Sequence, residues 1–127
     1  MLSPTRSVWI RGEDAAAKHM KRAGFRILER NARFPMGEID IVCLEPKSST
    51  LVIVEVKARM ISPNPARRID PEANITSAKK AKLRTLAQAA QRSNRYPSKG
   101  IRIDVIAVEF VEGQSKPVAL RHYESAV

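Results

Sequence analysis

The run Leu51-Val52-Ile53-Val54-Glu55-Val56-Lys57 constrains this chain most, because it is rich in β-branched residues and sets two charges into an apolar strand. Side chains alternate along a strand, so Glu55 and Lys57 share a face with Leu51 and Ile53. Upstream, Glu38 to Leu44 reads as a second strand, and Pro46-Lys47-Ser48-Ser49 is turn chemistry, which makes the pair a hairpin. If the turn is centred between Lys47 and Ser48, ungapped antiparallel pairing sets Asp40 directly opposite Glu55. Cβ atoms of such partners lie about 5 Å apart, and like charges so placed repel. A divalent cation between them turns that repulsion into ligation. Hard Mg²⁺ or Mn²⁺ takes one or two carboxylates together with water and phosphate oxygens. The alternative is an exposed hairpin whose charges face solvent.

The remaining elements follow from periodicity and punctuation. A first helix is expected from about Gly12 to Ala23, stopping at Gly24. Phe25 to Arg33 reads as a strand, ended by Pro35 and Gly37. Met60 to Asn74, with three prolines and the pair Arg67-Arg68, is the longest unstructured stretch, and loops of that length are usually functional or mobile. A second helix begins near Thr76 or Ser77, either of which can cap it, and runs to about Arg92. Tyr96-Pro97-Ser98-Lys99-Gly100 breaks the chain before a buried-type strand at Ile101 to Phe110, and Val118 to His122 reads as a short edge strand. The order helix, three strands, helix, one or two strands defines an α/β fold. It is a mixed central sheet flanked by helices, with a parallel crossover through the second helix. At 127 residues the chain is one domain, 1–127.

The helices supply a second, independent anomaly. At about 100° per residue, Ile75, Lys79, Leu83, Leu86 and Ala90 fall on one stripe, with Lys79 where an apolar residue is expected. On the first helix Ala16, Ala17, Met20 and Gly24 form the apolar stripe, and Glu13 sits on its axis. Buried charges are costly unless paired or bound. One such residue is explained by a snorkelling side chain; two, together with the strand carboxylates, point to a shared polar site. Lys80, Arg84, Gln88 and Gln91 look away, as a solvated face should.

Other candidates are weaker. His19 and His122, with no acid or cysteine at ligand spacing, read as surface residues; Asp104 can pair with a basic neighbour or support the site, and the structural role is the one expected. No glycine-rich phosphate loop or G-x-S-x-G elbow is present, and Trp9 and Tyr96 are too isolated for a base-stacking platform. Charge speaks to partners: 23 Lys and Arg against 13 Asp and Glu leave +10, which favours a polyanion, nucleic acid being the commonest, though it also suits a merely basic protein. The single cysteine, Cys43, allows no intrachain disulfide and reads as a small buried hydrophobe. The N-terminus lacks the apolar core of a signal peptide, and no apolar stretch approaches the roughly 20 residues that span a bilayer. A cytoplasmic protein without a membrane partner is expected.

Gly12-Glu13, Arg30-Asn31-Ala32-Arg33, Gly37-Glu38-Ile39-Asp40-Ile41, Val54-Glu55-Val56-Lys57-Ala58-Arg59 and Lys79 together resemble the YraN-type family of small bacterial proteins. That family is similar to the restriction-endonuclease-like, PD-(D/E)xK nuclease superfamily and to archaeal Holliday-junction resolvases. The likeness runs from about Gly12 to Val108, and its specific part is the G-E-I-D block followed at this interval by E-V-K. It implies a restriction-endonuclease-like core in which Asp40 and Glu55 are metal ligands, with the backbone carbonyl of Val56 as a third. Lys57 would orient or help deprotonate the attacking water, and Glu13 and Lys79 would complete the catalytic set from the helices. The implied protein is a nuclease-like, Mg- or Mn-dependent endonuclease hydrolysing phosphodiester bonds in DNA, with RNA as the other candidate nucleic acid and branched DNA among the candidate substrates. Arg67, Arg68, Lys80, Lys82 and Arg84 would track the nucleic-acid backbone. Junction-cleaving relatives imply a two-fold homodimer. Two departures stand out: the segment after Arg59 carries Pro63, Pro65 and Arg67-Arg68 where a glycine is usual, and Ile103 precedes Asp104 where Phe is commoner. A reading from another class is a non-catalytic nucleic-acid-binding module that kept the fold; the presence of every motif acid and lysine favours the enzyme.

Overall fold

In the computed structural model, which describes residues 4–64 and 75–127, the order is α1 (Pro4–Arg22), β1 (Arg26–Phe34), β2 (Gly37–Glu45), β3 (Thr50–Ile61), α2 (Ser77–Arg92), β4 (Gly100–Val111) and β5 (Ala119–Tyr123). The strands lie side by side in sequence order within one sheet. Every neighbouring pair is antiparallel except β3 and β4, which run parallel because α2 carries the chain back between them. The expected mixed sheet with a helical crossover is therefore present.

Period-two sorting of the strand residues places the two helices on opposite faces. Ile41, Cys43, Val52, Val54 and Val56 pack with Val8, Ala16, Ala17 and Met20 of α1. Val42, Leu51 and Ile53 point the other way and pack with Leu83, Leu86, Ala87 and Ala90 of α2. A central strand covered on both faces has no solvent side to spend on polar residues, which is why β3 opens as an unbroken apolar run. Each such aliphatic side chain, fully buried, stabilises the fold by about 1.5–3 kcal/mol.

Three expectations need correction. The first helix begins at Pro4, not near Gly12. Glycine is a poor interior helix former and so resembles a boundary, but Gly12 lies mid-helix for a packing reason: a Cβ built on it would stand 2.3 Å from the Ala58 Cβ on β3. The third strand does not end at Lys57; parallel pairing with β4 continues to Ile61↔Val111, a partner that local sequence does not reveal. The first strand starts at Arg26 and is not regular: its register shifts between Ile27 and Glu29, and Asn31 adopts φ 54. The second helix has the expected bounds, with Thr76 as N-cap accepting the Lys79 N–H at 3.1 Å. Among the described residues no helix is long and apolar enough to cross a membrane.

Candidate active site

The β2–β3 ladder pairs Ile41 with Val54 and Glu45 with Thr50, the register expected from a turn centred between Lys47 and Ser48. One further step along the same register brings Asp40 beside Glu55. At that step a side chain takes over from the backbone, and Asp40 Oδ2 accepts the Val56 N–H at 2.8 Å. In an extended strand a residue's N–H and C=O point to the same side, so the Val56 carbonyl is directed toward the same gap between β2 and β3. Alternation puts Asp40 with Val42, and Glu55 and Lys57 with Leu51 and Ile53, on the α2 side of the sheet.

The electrostatics of this gap are those of crowded carboxylates. Asp40 has its pKa raised from 3.8 to about 7, first by burial and then by the charge of Glu55, with Glu13 adding to the effect; the Val56 N–H and Lys79 oppose it. Glu55 is 9% exposed. Its Oε1 lies 3.0 Å from Lys79 Nζ and 4.0 Å from Lys57 Nζ, so the α2 cation is the close partner and the β3 cation a looser one. The Thr76 cap fixes the first turn of α2 and with it the position from which Lys79 reaches the sheet.

Glu13 approaches from the other helix. It is 2% exposed, and its Oε2 is buried with no hydrogen-bond partner. The Asn31 side-chain amide, oriented by its neighbours, donates to Glu13 Oε1 and to Glu38 Oε1, each at 2.9 Å. Burial, ahead of any charge, pushes the Glu13 pKa up, while Arg30 pulls it down. The close approach of α1 to β3 at Gly12 and Ala58 is what sets the adjacent Glu13 this deep. Asn31 and Glu38 had no role assigned from sequence. Their signal was present in the blocks Arg30-Asn31-Ala32-Arg33 and Gly37-Glu38, but a left-handed asparagine that joins two carboxylates is invisible to alternation.

The donors in this gap are hard oxygens, suited to Mg²⁺ or Mn²⁺ rather than to a softer metal. Among the described residues no three His, Cys, Asp or Glu side chains form a ready cage. A site of Asp40, Glu55 and the Val56 carbonyl, completed by water or phosphate, requires only two carboxylates. The high pKa of Asp40 marks crowded negative charge, which a cation in the gap would relieve.

The basic residues expected to follow a nucleic-acid backbone do not form one row. Lys80 is half-buried and borders a hollow with Ile75, His122 and Tyr123; Lys82 is exposed, with its Cε near Gly37; Arg84 faces outward. Arg67 and Arg68 lie outside the described residues.

Elsewhere the histidines are half-buried and paired rather than simply solvated. His122 Nε2 lies 2.7 Å from Asp104 Oδ2, and His122 Nδ1 lies 3.0 Å from His19 Nε2. The two rings come together across 103 positions of sequence, beyond the reach of ligand-spacing arguments. Asp104 has the structural role expected of it: fully buried, it also accepts two bonds from Arg102 at 3.0 Å and the Ser125 N–H at 3.0 Å. Cys43 is buried, as read, and Tyr96 is buried against Glu29 rather than offered for stacking.

Comparison with known proteins places this geometry in a family. A chain of a solved structure of EndoMS in complex with dsDNA superposes with a TM-score of 0.43 and 11% identity, over 83% of this chain and 38% of that one, too distant a likeness to bear on function. A UPF0102 protein of Renibacterium salmoninarum is 44% identical over 103 residues, 81% of this chain and 82% of that protein. One from Pelotomaculum thermopropionicum is 36% identical over 115 residues, 91% of this chain and 90% of that protein. The family model described as "Uncharacterised protein family UPF0102" matches residues 12–108, the stretch that carries the YraN-type motifs, and the chain belongs to that family.

Proposed function

We propose that this chain is a divalent-metal-dependent phosphodiesterase of the restriction-endonuclease-like type, acting on nucleic acid, with DNA as the first substrate to test. The observation that carries the reading is the convergence of Asp40, Glu55, Lys57 and Lys79 in one partly buried gap between β2 and β3. A buried carboxylate whose ionisation is made costlier by a second carboxylate beside it is a poor structural choice and a good cation site.

In this mechanism Asp40, Glu55 and the Val56 carbonyl would hold Mg²⁺ or Mn²⁺, which when bound would supply Lewis acidity toward a phosphoryl oxygen. Asp40 does two jobs at once, because the oxygen bonded to the Val56 N–H also fixes the strand that carries Glu55 and Lys57. Lys57, one strand step beyond Glu55 and loosely paired, is placed to orient water and to stabilise charge that develops on the phosphate. Lys79 holds Glu55 in place until substrate binds and then offers its charge to the phosphate. Glu13 adds a buried negative charge behind Asp40 and favours cation binding at it. The +10 net charge draws the polyanion to the protein.

A panel of linear, flapped and four-way DNA and matched RNA, with and without Mn²⁺, tests this. Cleavage that depends on metal and is lost in Asp40→Asn supports it. A second reading, a binding module that kept the fold, draws on the 3.0 Å Lys79–Glu55 contact, which partly satisfies the acidic gap without any metal. Binding of nucleic acid without cleavage of any substrate, and without stabilisation by metal, would favour that module.

A further inference from the structure

The α1 side of the sheet carries a cluster that the proposed active site does not use. Lys18 and Arg22 of α1 and Lys116 of the β4–β5 connection line a hollow of about 620 Å³ together with His19, Pro117 and Leu120. The three cations are exposed, and none has an ion-pair partner among the described residues. Asp14, the acid at the rim, is already held by Arg30 at 2.7 Å. The helix macrodipole explains basic residues in the last turn of α1. It does not explain Lys116, which arrives from another part of the chain, and Lys18 and Arg22, four residues apart on one helix, repel each other.

His19 is the polar group in the hollow, and its orientation is fixed from behind. Asp104 is buried and accepts two hydrogen bonds from Arg102, and His122 donates to its Oδ2 from Nε2. His122 Nδ1 then accepts from His19 Nε2, which leaves His19 Nδ1 for the hollow. When His19 takes up a proton, Nδ1 becomes a donor on a residue that lines the same hollow as the three cations. From this geometry we infer that Lys18, His19, Arg22 and Lys116 form a second phosphate-binding surface, on the α1 side of the sheet, which grips the backbone of a second nucleic-acid segment. One molecule would then hold two segments, one at Glu55 and Lys57 and one at Lys116.

The proton on His19 ties this surface to pH. The groups facing His19 are Asp14, Lys18 and Arg22 on its own helix, Lys116 from the β4–β5 connection, and His122 on β5 with Asp104 and Arg102 behind it. Burial first, and then His122, lower the His19 pKa from 6.5. A bound phosphate must raise it again by linkage, and binding here strengthens as pH falls.

His19 and His122 are the chain's two histidines, so their ring signals can be followed by nuclear magnetic resonance. The titration uses the Asp40→Asn, Glu55→Gln double variant, which removes the acidic gap, and a short DNA duplex as probe. The duplex should shift both ring signals and raise the His19 pKa, whatever the outcome of the cleavage panel. Adding Lys18→Gln, Arg22→Gln and Lys116→Gln, all at exposed positions, should abolish the shift. In the otherwise wild-type protein the same three changes should flatten the log–log salt dependence of duplex binding by about 3, at 0.9 per lost phosphate contact. In parallel, the wild type should capture a fluorescent duplex onto a tethered one, and the triple variant should not. Unmoved ring signals overturn the inference. Signals that move with inorganic phosphate but not with duplex also overturn it, and leave a small-anion site. Capture that survives the triple substitution overturns the two-segment claim.

Discussion

The carboxylate of Asp40 accepts the Val56 N–H at 2.8 Å, so the residue that would hold a cation also ties β2 to the strand carrying Glu55 and Lys57. This double duty makes the site sensitive to the ionisation of one group. Asp40 is raised to about 7 from 3.8, chiefly by burial and then by Glu55, which means the folded chain holds its proton more tightly than the unfolded chain does. The stability from that proton is fully present below about pH 4 and is lost as pH rises through about 7.

In metal-free buffer, then, Asp40→Asn should remove a downward drift in stability between pH 4 and pH 7 and leave the variant more stable than wild type at pH 8. At about 1.36 kcal/mol per pH unit of displacement, the ceiling is about 4 kcal/mol, and solvent access at the half-buried Asp40 reduces it. Urea melts across that range check this, and parallel curves for the two proteins would refute it.

Metal should act in the opposite direction. A cation bound to ionised Asp40 and Glu55 stabilises the fold by about 2.7 kcal/mol at a hundredfold excess over its dissociation constant. Mn²⁺ should therefore raise the melting temperature more at pH 8 than at pH 5, where it competes with the Asp40 proton. Glu55→Gln should cut the increment sharply. An equal metal effect at both pH values would argue that the ion binds elsewhere.

Gly12→Ala tests the helix that delivers Glu13. The added methyl would meet the Ala58 Cβ at 2.3 Å, and neither atom is the end of a flexible chain. The helix must lift from β3, at a cost of about 1–3 kcal/mol, despite the better helix propensity of alanine. Adding Ala58→Gly should recover much of that loss, with both variants read by chemical denaturation. A stabilised Gly12→Ala protein would show that the approach is looser than described.

How much of this was legible in the sequence depends on the range over which each signal acts. The Asp40–Glu55 juxtaposition was readable because one short turn fixes a hairpin register and period two fixes the face. Lys79 and Glu13 were readable as charges on apolar stripes. What stayed hidden needed contacts between distant segments. Gly12 passes for a helix boundary unless Ala58 is known to lie beneath it. Asn31 joins Glu13 to Glu38 only through a left-handed backbone in a strand whose register shifts. His19 and His122 look solvated until the fold brings α1 against β5. The buried Glu109, held by Arg59 at 2.7 Å and Arg121 at 2.8 Å across three strands, gave no local signal at all.

Lys79→Met separates the enzyme from the binding module. Lys79 Nζ stands 3.0 Å from Glu55 Oε1, whereas Lys57 Nζ stands 4.0 Å away, so removing Lys79 leaves a 9% exposed carboxylate with only a distant cation. The thioether keeps most of the lysine's length and apolar packing, which confines the change to charge. Without metal the variant should be less stable, by about 1–3 kcal/mol, the range expected when a buried acceptor loses its partner. With metal the sign changes: the lysine no longer competes for Glu55, the acidic gap is more negative, and Mn²⁺ should bind several-fold more tightly. Saturating Mn²⁺ should then close most of the stability gap between variant and wild type. Cleavage should nevertheless fall, because a charge that would meet the phosphate is gone, and the loss should appear in kcat more than in KM. If Lys79 instead closes the gap of a module that never holds metal, the variant would be destabilised equally with and without Mn²⁺. Thermal melts at graded Mn²⁺, run beside single-turnover cleavage, distinguish the two outcomes.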